Sequence, residues 1–395
     1  MTIFHPLFWF AVVALCLAVG ALVAGASRFY AAQLGNVGGR YETLDGLRGF
    51  LALGVLGAHA VNMYTWRSGG GWGSAAGFYE QAGYGGVALF FAITGYLFWL
   101  RVLKSAPVLD AVALYRSRLR RIVPMYAFSV LCVLAVAASV TGLAPNESLP
   151  TLAKELRGWA SFGFLPSGPI NGFADAHYIN AVYWTLAYEW AFYLSLPFLA
   201  LFARGAPSVV LLAAVLFFGT QAPVVYNFLA GALTAMLVNA GTLRGRRLDS
   251  PWLAPVALGA LAAFFVFPGL PALARTGLLF VFFVLVVHGQ SLFGLLRSRP
   301  AKVLGLASYS IYLLHCIVLF VIVRAVDAAV PVAQLPAVQY WLVIAGAACL
   351  TVLLSALTYQ HVEYPFIRPS RAQPGAQPAA GTSPLAPWKI PSPRV

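Results

Sequence analysis

Charged residues are scarce in this chain. Asp, Glu, Lys and Arg make up only 9% of its 395 residues, whereas 61% are hydrophobic and the mean hydropathy is +0.82. A soluble globular domain usually carries about 25% charged residues. The composition therefore excludes a soluble globular protein and indicates a chain that crosses a membrane many times.

Cysteine is also sparse, and the usual metal-binding spacings are missing. The four cysteines lie in apolar runs, without a CxxC pair: Cys16, Cys132, Cys316 and Cys349. We interpret them as small core residues, which argues against a disulfide framework or a zinc site. No two histidines share ligand spacing with a carboxylate, so the sequence predicts no metal cofactor.

Apolar runs near 20 residues predict the fold class, because a helix of about that length crosses the hydrocarbon core of a bilayer. The predicted fold is all-α: a polytopic transmembrane helical bundle of eleven spans. The predicted spans are about 7–26, 44–64, 84–103, 122–143, 183–203, 207–219, 222–240, 252–267, 272–289, 304–325 and 338–360.

Three regions follow from this pattern. Residues 1–40 form an N-terminal transmembrane helix and its loop, residues 41–367 form the rest of the membrane domain, and residues 368–395 form a Pro- and Ala-rich tail that we expect to be disordered and cytoplasmic. A cleaved signal peptide is the alternative for residues 1–26, because Ala24-Gly25-Ala26 resembles a processing site. The positively charged start of such a peptide is missing, which favours a retained helix.

The distribution of basic residues predicts the orientation. With alternating sides, only five of the 25 lysines and arginines fall on one side: Arg67, Lys154, Arg157, Arg275 and Arg324. The positive-inside rule assigns the other, basic side to the cytoplasm, so we expect a multi-pass membrane protein with its N-terminus outside and its C-terminus inside. The net charge of +14 then reflects topology and attraction to anionic membrane lipid, so we predict no nucleic-acid partner.

Arg48 and His59 are two ionisable residues inside the second predicted span. Eleven residues separate them, which is close to three helical turns, so both side chains share one helix face about 16 Å apart. An ionisable group in hydrocarbon costs several kcal/mol unless it faces the protein interior or a wet cavity. We therefore predict that this helix lines a hydrated passage that Arg48 and His59 share.

A dense basic run follows the third predicted span and consists of Lys104, Arg116, Arg118, Arg120 and Arg121. One interpretation is a stop-transfer and lipid-headgroup anchor. The other is a cytoplasmic binding site for a cosubstrate that carries several phosphates, because the planar fork of arginine binds phosphate in a bidentate manner.

Glu189 is the only acidic residue well inside a strong predicted span, and Tyr193 lies one turn away on the same face. A carboxylate there either pairs with a cation or stays neutral and hydrogen-bonded. The neighbouring Trp184 and Tyr188 are either an interfacial aromatic belt or part of a substrate site, to which we also assign Tyr193.

Another polar helix face lies in the tenth predicted span. Ser308, Tyr312 and His315 follow a spacing of four and three residues, which places them on one side of a helix. His315 is either a hydrogen-bonded interior histidine or part of the substrate-binding site, and we assign all three residues to that site.

These features, taken in order over about residues 41–367, resemble the integral-membrane acyltransferase-3 family, the bacterial O-acyltransferases of surface polysaccharides, lipopolysaccharide, peptidoglycan and some secreted small molecules. The blocks that carry the resemblance are Leu44-Asp45-Gly46-Leu47 with Arg48 and His59, then residues 86–96, 120–124, 184–193, 308–315 and 363–365. The chain departs from the family pattern at Thr94, Tyr96, Thr185 and Trp190. Trp190 stands where many members have a second acid, so Glu189 must act alone.

The resemblance implies a bundle of ten core spans plus one extra N-terminal span, here residues 1–40, in the bacterial inner membrane. It also implies an acyl-CoA donor, most often acetyl-CoA, supplied from the cytoplasm, and a glycan or lipid-linked saccharide acceptor. On this view Arg48, His59 and Glu189 are catalytic, and the basic run holds the nucleotide end of CoA. His59 acts either as a general base on the acceptor hydroxyl or as a covalent carrier of the acyl group, and Glu189 either orients His59 or neutralises Arg48. A transporter or flippase for a lipid-linked sugar or small molecule is the rival function, and a non-catalytic sensor or assembly subunit is a third. The sequence leaves the oligomeric state open.

Overall fold

A computed structural model of the chain describes residues 2–36, 41–73, 77–105, 109–202, 223–243 and 247–367. Helices dominate this part of the chain, and no β-sheet occurs within it. The helices are α1 (Pro6–Ala26), α2 (Arg28–Asn36), α3 (Glu42–Arg67), α4 (Phe78–Ser105), α5 (Ala111–Thr141), α6 (Leu149–Trp159), α7 (Trp184–Phe202), α8 (Val225–Ala240), α9 (Ala254–Val266), α10 (Ala272–Val287), α11 (Arg299–Leu306), α12 (Ser308–Ala329), α13 (Ala337–Thr358) and α14 (Tyr364–Ile367).

The membrane-span prediction agrees with these helices. Six helical segments of the described chain are long and apolar enough to cross a bilayer: α1, α3, α4, α5, α12 and the continuous stretch Ala337–Ile367. Helices α7, α8, α9 and α10 match four of the remaining predicted spans. The predicted span 207–219 and the tail 368–395 lie outside the described residues. The all-α fold class is therefore confirmed.

The arginines of the basic run lie near the start of a helix, which the sequence did not predict. We expected the fourth span to begin near residue 122, but α5 begins at Ala111 and continues without a break. The Asp110 side chain accepts a hydrogen bond from the Ala113 backbone N–H at 2.8 Å, which is the usual stabilisation of a helix N-terminus. The arginines therefore have fixed positions around the first turns of α5.

The predicted span 304–325 is also different in the structure, because the chain breaks at Ala307. Helix α11 ends at Leu306 and α12 begins at Ser308. The break redirects the chain, so that Ser308 is fully buried at the start of α12.

Close helix packing fixes the position of α3. A Cβ atom at Gly305 on α11 would lie 1.8 Å from the Asp45 backbone oxygen, and one at Gly46 would lie 1.9 Å from the Leu296 backbone oxygen. Only glycine permits backbones to approach so closely. This contact holds the first turns of α3, including Arg48, against α11 and the segment before it.

Two ion pairs between helices mark the two ends of the bundle, one at each end. Glu42, at the start of α3, pairs with Lys302 at 3.1 Å. Arg67, at the other end of α3, forms an ion pair with Asp327 near the end of α12. Arg48 therefore lies toward the Lys302 end of the bundle, and His59 lies toward the Asp327 end.

Candidate functional site

An internal cavity of about 720 Å³ opens between α3, α4, α5, α7 and α12. This volume is in the range of about 300–1,000 Å³ that is usual for small-molecule sites. Its polar lining comes from Asp45, Arg48, Thr94, Arg116, Ser117, Arg118, Arg120, Arg121, Thr185, Glu189, Tyr193, Ser308, Tyr309, Tyr312 and Tyr359. Phe90, Phe91, Leu97 and Phe98 of α4 contribute an apolar wall.

Most of the residues that we selected from the sequence line this cavity. They are Arg48, Arg116, Arg118, Arg120, Arg121, Glu189, Tyr193, Ser308 and Tyr312. Lys104, Trp184, Tyr188, His59 and His315 are not among its lining residues. Trp184 is 49% exposed and contacts Tyr188 edge to face at 5.8 Å, an arrangement that suits the interfacial belt alternative.

The four arginines of α5 have different environments. Arg116 and Arg120 are exposed at the rim of the cavity, whereas Arg118 and Arg121 are half-buried. The Arg118 guanidinium lies over the Phe98 ring at 4.8 Å and the Tyr193 ring at 5.8 Å. These stacking contacts hold Arg118 inside the cavity while its N–H groups stay near the open space.

Arg121 has a structural partner that the sequence did not reveal. It forms an ion pair with Glu363, whose carboxylate also accepts a hydrogen bond from Ser310 Oγ at 3.0 Å. Glu363 is fully buried in the π-helical turn Tyr359–Glu363 after α13. Arg121 therefore connects α5 to the end of the chain's helical region, and its charge is neutralised within the protein.

Arg48 and Ser308 line the cavity without such partners. Within the described residues, the Arg48 side chain has neither an ion pair nor a hydrogen bond, although Asp45 and Glu189 are near enough to act on it electrostatically. The buried Ser308 Oγ likewise has no hydrogen-bond partner in the described chain. A buried polar group without a partner is costly, so both groups are suited to bind a ligand in the cavity.

Glu189 is hydrogen-bonded to a residue one helical turn away. The Tyr193 hydroxyl donates a hydrogen bond to Glu189 Oε1. Of the two roles that we considered for Glu189, the structure gives geometric support to charge balance with Arg48, since both residues line the same cavity. It brings Glu189 into no contact with His59, which bonds to other groups.

His59 and His315 form a contact that the sequence did not predict. His59 Nδ1 lies 3.1 Å from His315 Nε2, and His315 Nε2 lies 3.3 Å from Cys316 Sγ. His315 and Cys316 are fully buried, and His59 is half-buried. No spacing along the chain reveals this pair, because His59 is on α3 and His315 is on α12.

The hydrogen bonds select one tautomer for each neutral ring. His315 Nδ1 lies 3.1 Å from the Ile311 carbonyl oxygen, which can only accept, so Nδ1 carries the hydrogen and Nε2 is the acceptor. His59 Nδ1 lies 3.0 Å from the Val55 carbonyl oxygen and carries its hydrogen for the same reason. His59 Nε2 then has the free electron pair that a general base needs.

The side chains of His59, His315 and Cys316 could also be interpreted as metal ligands. Their ligand atoms lie within 4.8 Å of one another. The nitrogen of His59 in this group, however, has its hydrogen directed at the Val55 carbonyl, and the group contains no carboxylate. The absence of a metal cofactor remains a sequence prediction.

The cavity and the histidine pair are adjacent but separate. Tyr312 lines the cavity, its hydroxyl lies 2.9 Å from Thr185 Oγ1, and its ring lies 6.0 Å from His315. Phe90 contacts the Tyr312 ring at 5.9 Å. His59 and His315 do not line the cavity, so the cavity alone is not the single passage that we predicted for Arg48 and His59. The Tyr312 ring, packed against Phe90, lies at the cavity wall next to His315.

The fold and this cavity define a polytopic helical membrane protein with an arginine-lined internal site. A family model described as an acyltransferase domain matches residues 41–360. The chain therefore belongs to the acyltransferase-3 family and is an acyltransferase, which confirms the resemblance drawn from the sequence blocks.

One curated relative shares most of the chain. The chain is 31% identical over 321 residues to the exopolysaccharide production protein ExoZ of Rhizobium meliloti (strain 1021). The matched region covers 75% of this chain and 93% of the relative. No solved structure gives a significant match.

Proposed function

We propose that this acyltransferase transfers a short acyl group, most often acetyl, from cytoplasmic acyl-CoA to a hydroxyl group of an extracytoplasmic polysaccharide or its lipid-linked precursor. The observation that carries the proposal is the cavity itself, in which the unpaired Arg48 and Ser308 face a space bordered by arginines. The similarity to an exopolysaccharide production protein supports the acceptor class.

The donor occupies the cavity with its phosphates toward α5. Arg116, Arg118 and Arg120 bind phosphate oxygens, because their positive charge is not neutralised by a described ion pair, whereas Arg121 is paired with Glu363. The apolar wall of α4 accommodates the pantetheine chain. Arg48 and Ser308 then hydrogen-bond carbonyl groups of the pantetheine chain, because Arg48 lies about 16 Å along α3 from His59 and the thioester itself must reach His59.

The acceptor reaches the reaction from the other side. His59 Nε2 removes the proton from an acceptor hydroxyl while that oxygen attacks the thioester carbonyl carbon. The new C–O ester bond forms as the C–S bond breaks, and the departing CoA thiolate takes up, through water, the proton that His59 removed. The Val55 carbonyl holds His59 in the required tautomer, and His315 Nε2 stabilises the imidazolium that forms.

This route requires the Tyr312 ring to move, because it lies at the cavity wall next to His315. Loss of its contact with Thr185 opens a path for the thioester. The same path serves the alternative in which His59 first accepts the acyl group and then passes it to the sugar.

The basic ends of the bundle support a cytoplasmic donor side. Arg48 and the α5 arginines lie toward the end that the positive-inside rule assigns to the cytoplasm, and Arg67 and Arg275 lie toward the opposite end. We infer from this an N-terminus outside and a C-terminus inside.

The test uses the full chain, purified and placed in lipid nanodiscs. It is supplied with acetyl-labelled acetyl-CoA and with oligosaccharides from the producing strain's own surface polysaccharide, freed of esters by mild base. We expect label on the sugar and release of CoA, and we expect His59→Gln to lower both by about a hundredfold or more.

His288→Gln is the matched control, because His288 Nδ1 also bonds a carbonyl one turn earlier, at 2.8 Å, but lies outside the cavity lining. It should retain wild-type turnover. CoA release at background level in the wild type would contradict acyl transfer and favour movement of a saccharide instead.

A further inference from the structure

Three aromatic side chains from separate segments meet on the side of His59 away from the donor cavity. Trp66 lies at the end of α3, Trp72 lies in the glycine-rich segment after it, and Tyr178 ends the short 3-10 helix Ala174–Tyr178. The Tyr178 ring lies 4.4 Å from Trp66 and 4.9 Å from Trp72. We call these three residues the aromatic platform.

The aromatic platform packs against the protein core on one side, and its rings remain partly accessible. Trp66 stacks on the buried Phe320 of α12 at 6.0 Å, and all three platform residues are only half-buried. Aromatic faces in such a position present a flat apolar surface with a negative electrostatic face.

Backbone geometry directs Trp72 toward this site. Gly71 and Gly73 on either side of it have φ angles of +80° and +84°, which residues with a Cβ rarely adopt. The two glycines allow the segment to fold back over the end of α3, so that the Trp72 ring lies 5.9 Å from the His59 ring.

A polar pair borders the platform. The Arg67 guanidinium lies 5.0 Å from the centre of the Trp66 ring and forms an ion pair with Asp327. Asp327 also accepts a hydrogen bond from the Val332 backbone N–H at 2.8 Å. Flat aromatic surface with a few fixed polar groups at its edge is typical of specific small-molecule sites.

We propose that the aromatic platform binds a pyranose ring of the acceptor glycan and brings one of its hydroxyl groups to His59 Nε2. The C–H bonds on one face of a pyranose carry slight positive charge and pack against the negative face of an aromatic ring, while its hydroxyls reach the polar pair. This inference deepens the proposed function and rests on it for the role of His59.

An interfacial aromatic belt is the competing explanation. Belt residues are distributed around a protein at the headgroup level and face lipid. The platform residues instead converge from three segments onto one another and onto a histidine, which favours a ligand site.

The first measurement is binding, so that it does not depend on turnover. Saturation-transfer NMR is recorded on the full chain in nanodiscs with the same de-esterified oligosaccharides as probe. We expect saturation of pyranose ring protons with the wild type, at least a fivefold weaker transfer with Trp72→Ala or Trp66→Ala, and partial retention with Trp72→Phe.

Trp252→Ala is the control, because Trp252 is 89% exposed in the segment before α9 and is not part of the aromatic platform. Transfer that is equally strong in the wild type, Trp66→Ala and Trp72→Ala would assign these rings to the lipid interface and overturn the inference. Absence of saturation in the wild type would overturn it as well.

Turnover gives the second measurement. Trp72→Ala should raise the oligosaccharide KM at least tenfold, whereas Trp252→Ala should leave it within twofold of the wild-type value. If oligosaccharide binds through the platform but no CoA is released, the proposed acyl transfer fails and the sugar site stands. If CoA is released but the oligosaccharide KM of Trp72→Ala is unchanged, the sugar site fails and acyl transfer stands.

Discussion

The guanidinium of Arg121 on α5 forms an ion pair with the buried carboxylate of Glu363, near the end of the last helices. Glu363→Gln leaves a half-buried positive charge without its partner, and removal of one partner of a buried pair costs about 3–5 kcal/mol. We expect a clear loss of thermal stability, measured by the unfolding temperature in detergent.

Two comparisons define that effect. The double variant Arg121→Met with Glu363→Leu removes both charges and should recover much of the lost stability. Lys302→Met breaks the more exposed pair with Glu42 and should cost no more than about 1 kcal/mol. Equal losses for Glu363→Gln and Lys302→Met would contradict a structural role for the Arg121 pair.

Arg118 should govern donor affinity more than its neighbours on α5. It is held in the cavity by Phe98 and Tyr193, and loss of a charge-assisted hydrogen bond costs about 1.5–3 kcal/mol, or roughly ten- to a hundredfold in affinity. We expect Arg118→Met to raise the acyl-CoA KM by this amount, with Arg118→Lys only partly restoring it because lysine lacks the planar fork.

The exposed rim arginines provide the comparison. Arg116→Gln and Arg120→Gln should have smaller effects that weaken further as salt is added. Arg247→Gln should have none, because Arg247 is exposed and lies outside the cavity lining. A KM change for Arg247→Gln as large as that for Arg118→Met would show that only general surface charge matters.

His315 should act as a positioning residue for His59. His315→Leu removes the acceptor 3.1 Å from His59 Nδ1, although the Val55 carbonyl still accepts there. The imidazolium of His59 loses one of its two acceptors, and loss of a hydrogen bond to a charged group costs about 1.5–3 kcal/mol, which corresponds to roughly a ten- to hundredfold lower kcat. Steady-state kinetics should show this fall in kcat with little change in the acyl-CoA KM. His315→Gln offers an amide oxygen in place of Nε2 and should recover part of the rate. A kcat for His315→Gln that is no higher than that for His315→Leu would refute the positioning role.

Gly305 should tolerate no side chain. A Cβ there would lie 1.8 Å from the Asp45 backbone oxygen, and overpacking of this kind costs about 1–3 kcal/mol or more. We expect Gly305→Ala to lower the unfolding temperature and the yield of folded protein in membranes. Gly346→Ala is the control, since a Cβ at Gly346 meets nothing within 4 Å, and helix propensity predicts a gain of up to about 1 kcal/mol.

The architecture was predictable from the sequence because bilayer thickness fixes the length of apolar runs. The membership of Arg48, Glu189 and Ser308 in one site was predictable for a related reason: polar groups in hydrocarbon must share an interior. The break at Ala307 was not, since no proline interrupts the predicted span 304–325.

Pairings between distant segments were beyond the reach of sequence periodicity. His59 and His315, or Arg121 and Glu363, meet because of how the helices pack, and no local spacing records that packing. Trp66, Trp72 and Tyr178 looked unrelated for the same reason. We also omitted Tyr309 and Asp45 from the predicted site, although both line the cavity.

The packed rings of Phe90 and Tyr312 have a consequence for the cell that carries this enzyme. A channel wide enough for a thioester chain would also conduct protons and so discharge the voltage across the membrane. While these rings stay packed together between one turnover and the next, protons do not leak through the enzyme. The cell then keeps its transmembrane voltage while the enzyme waits for its next donor.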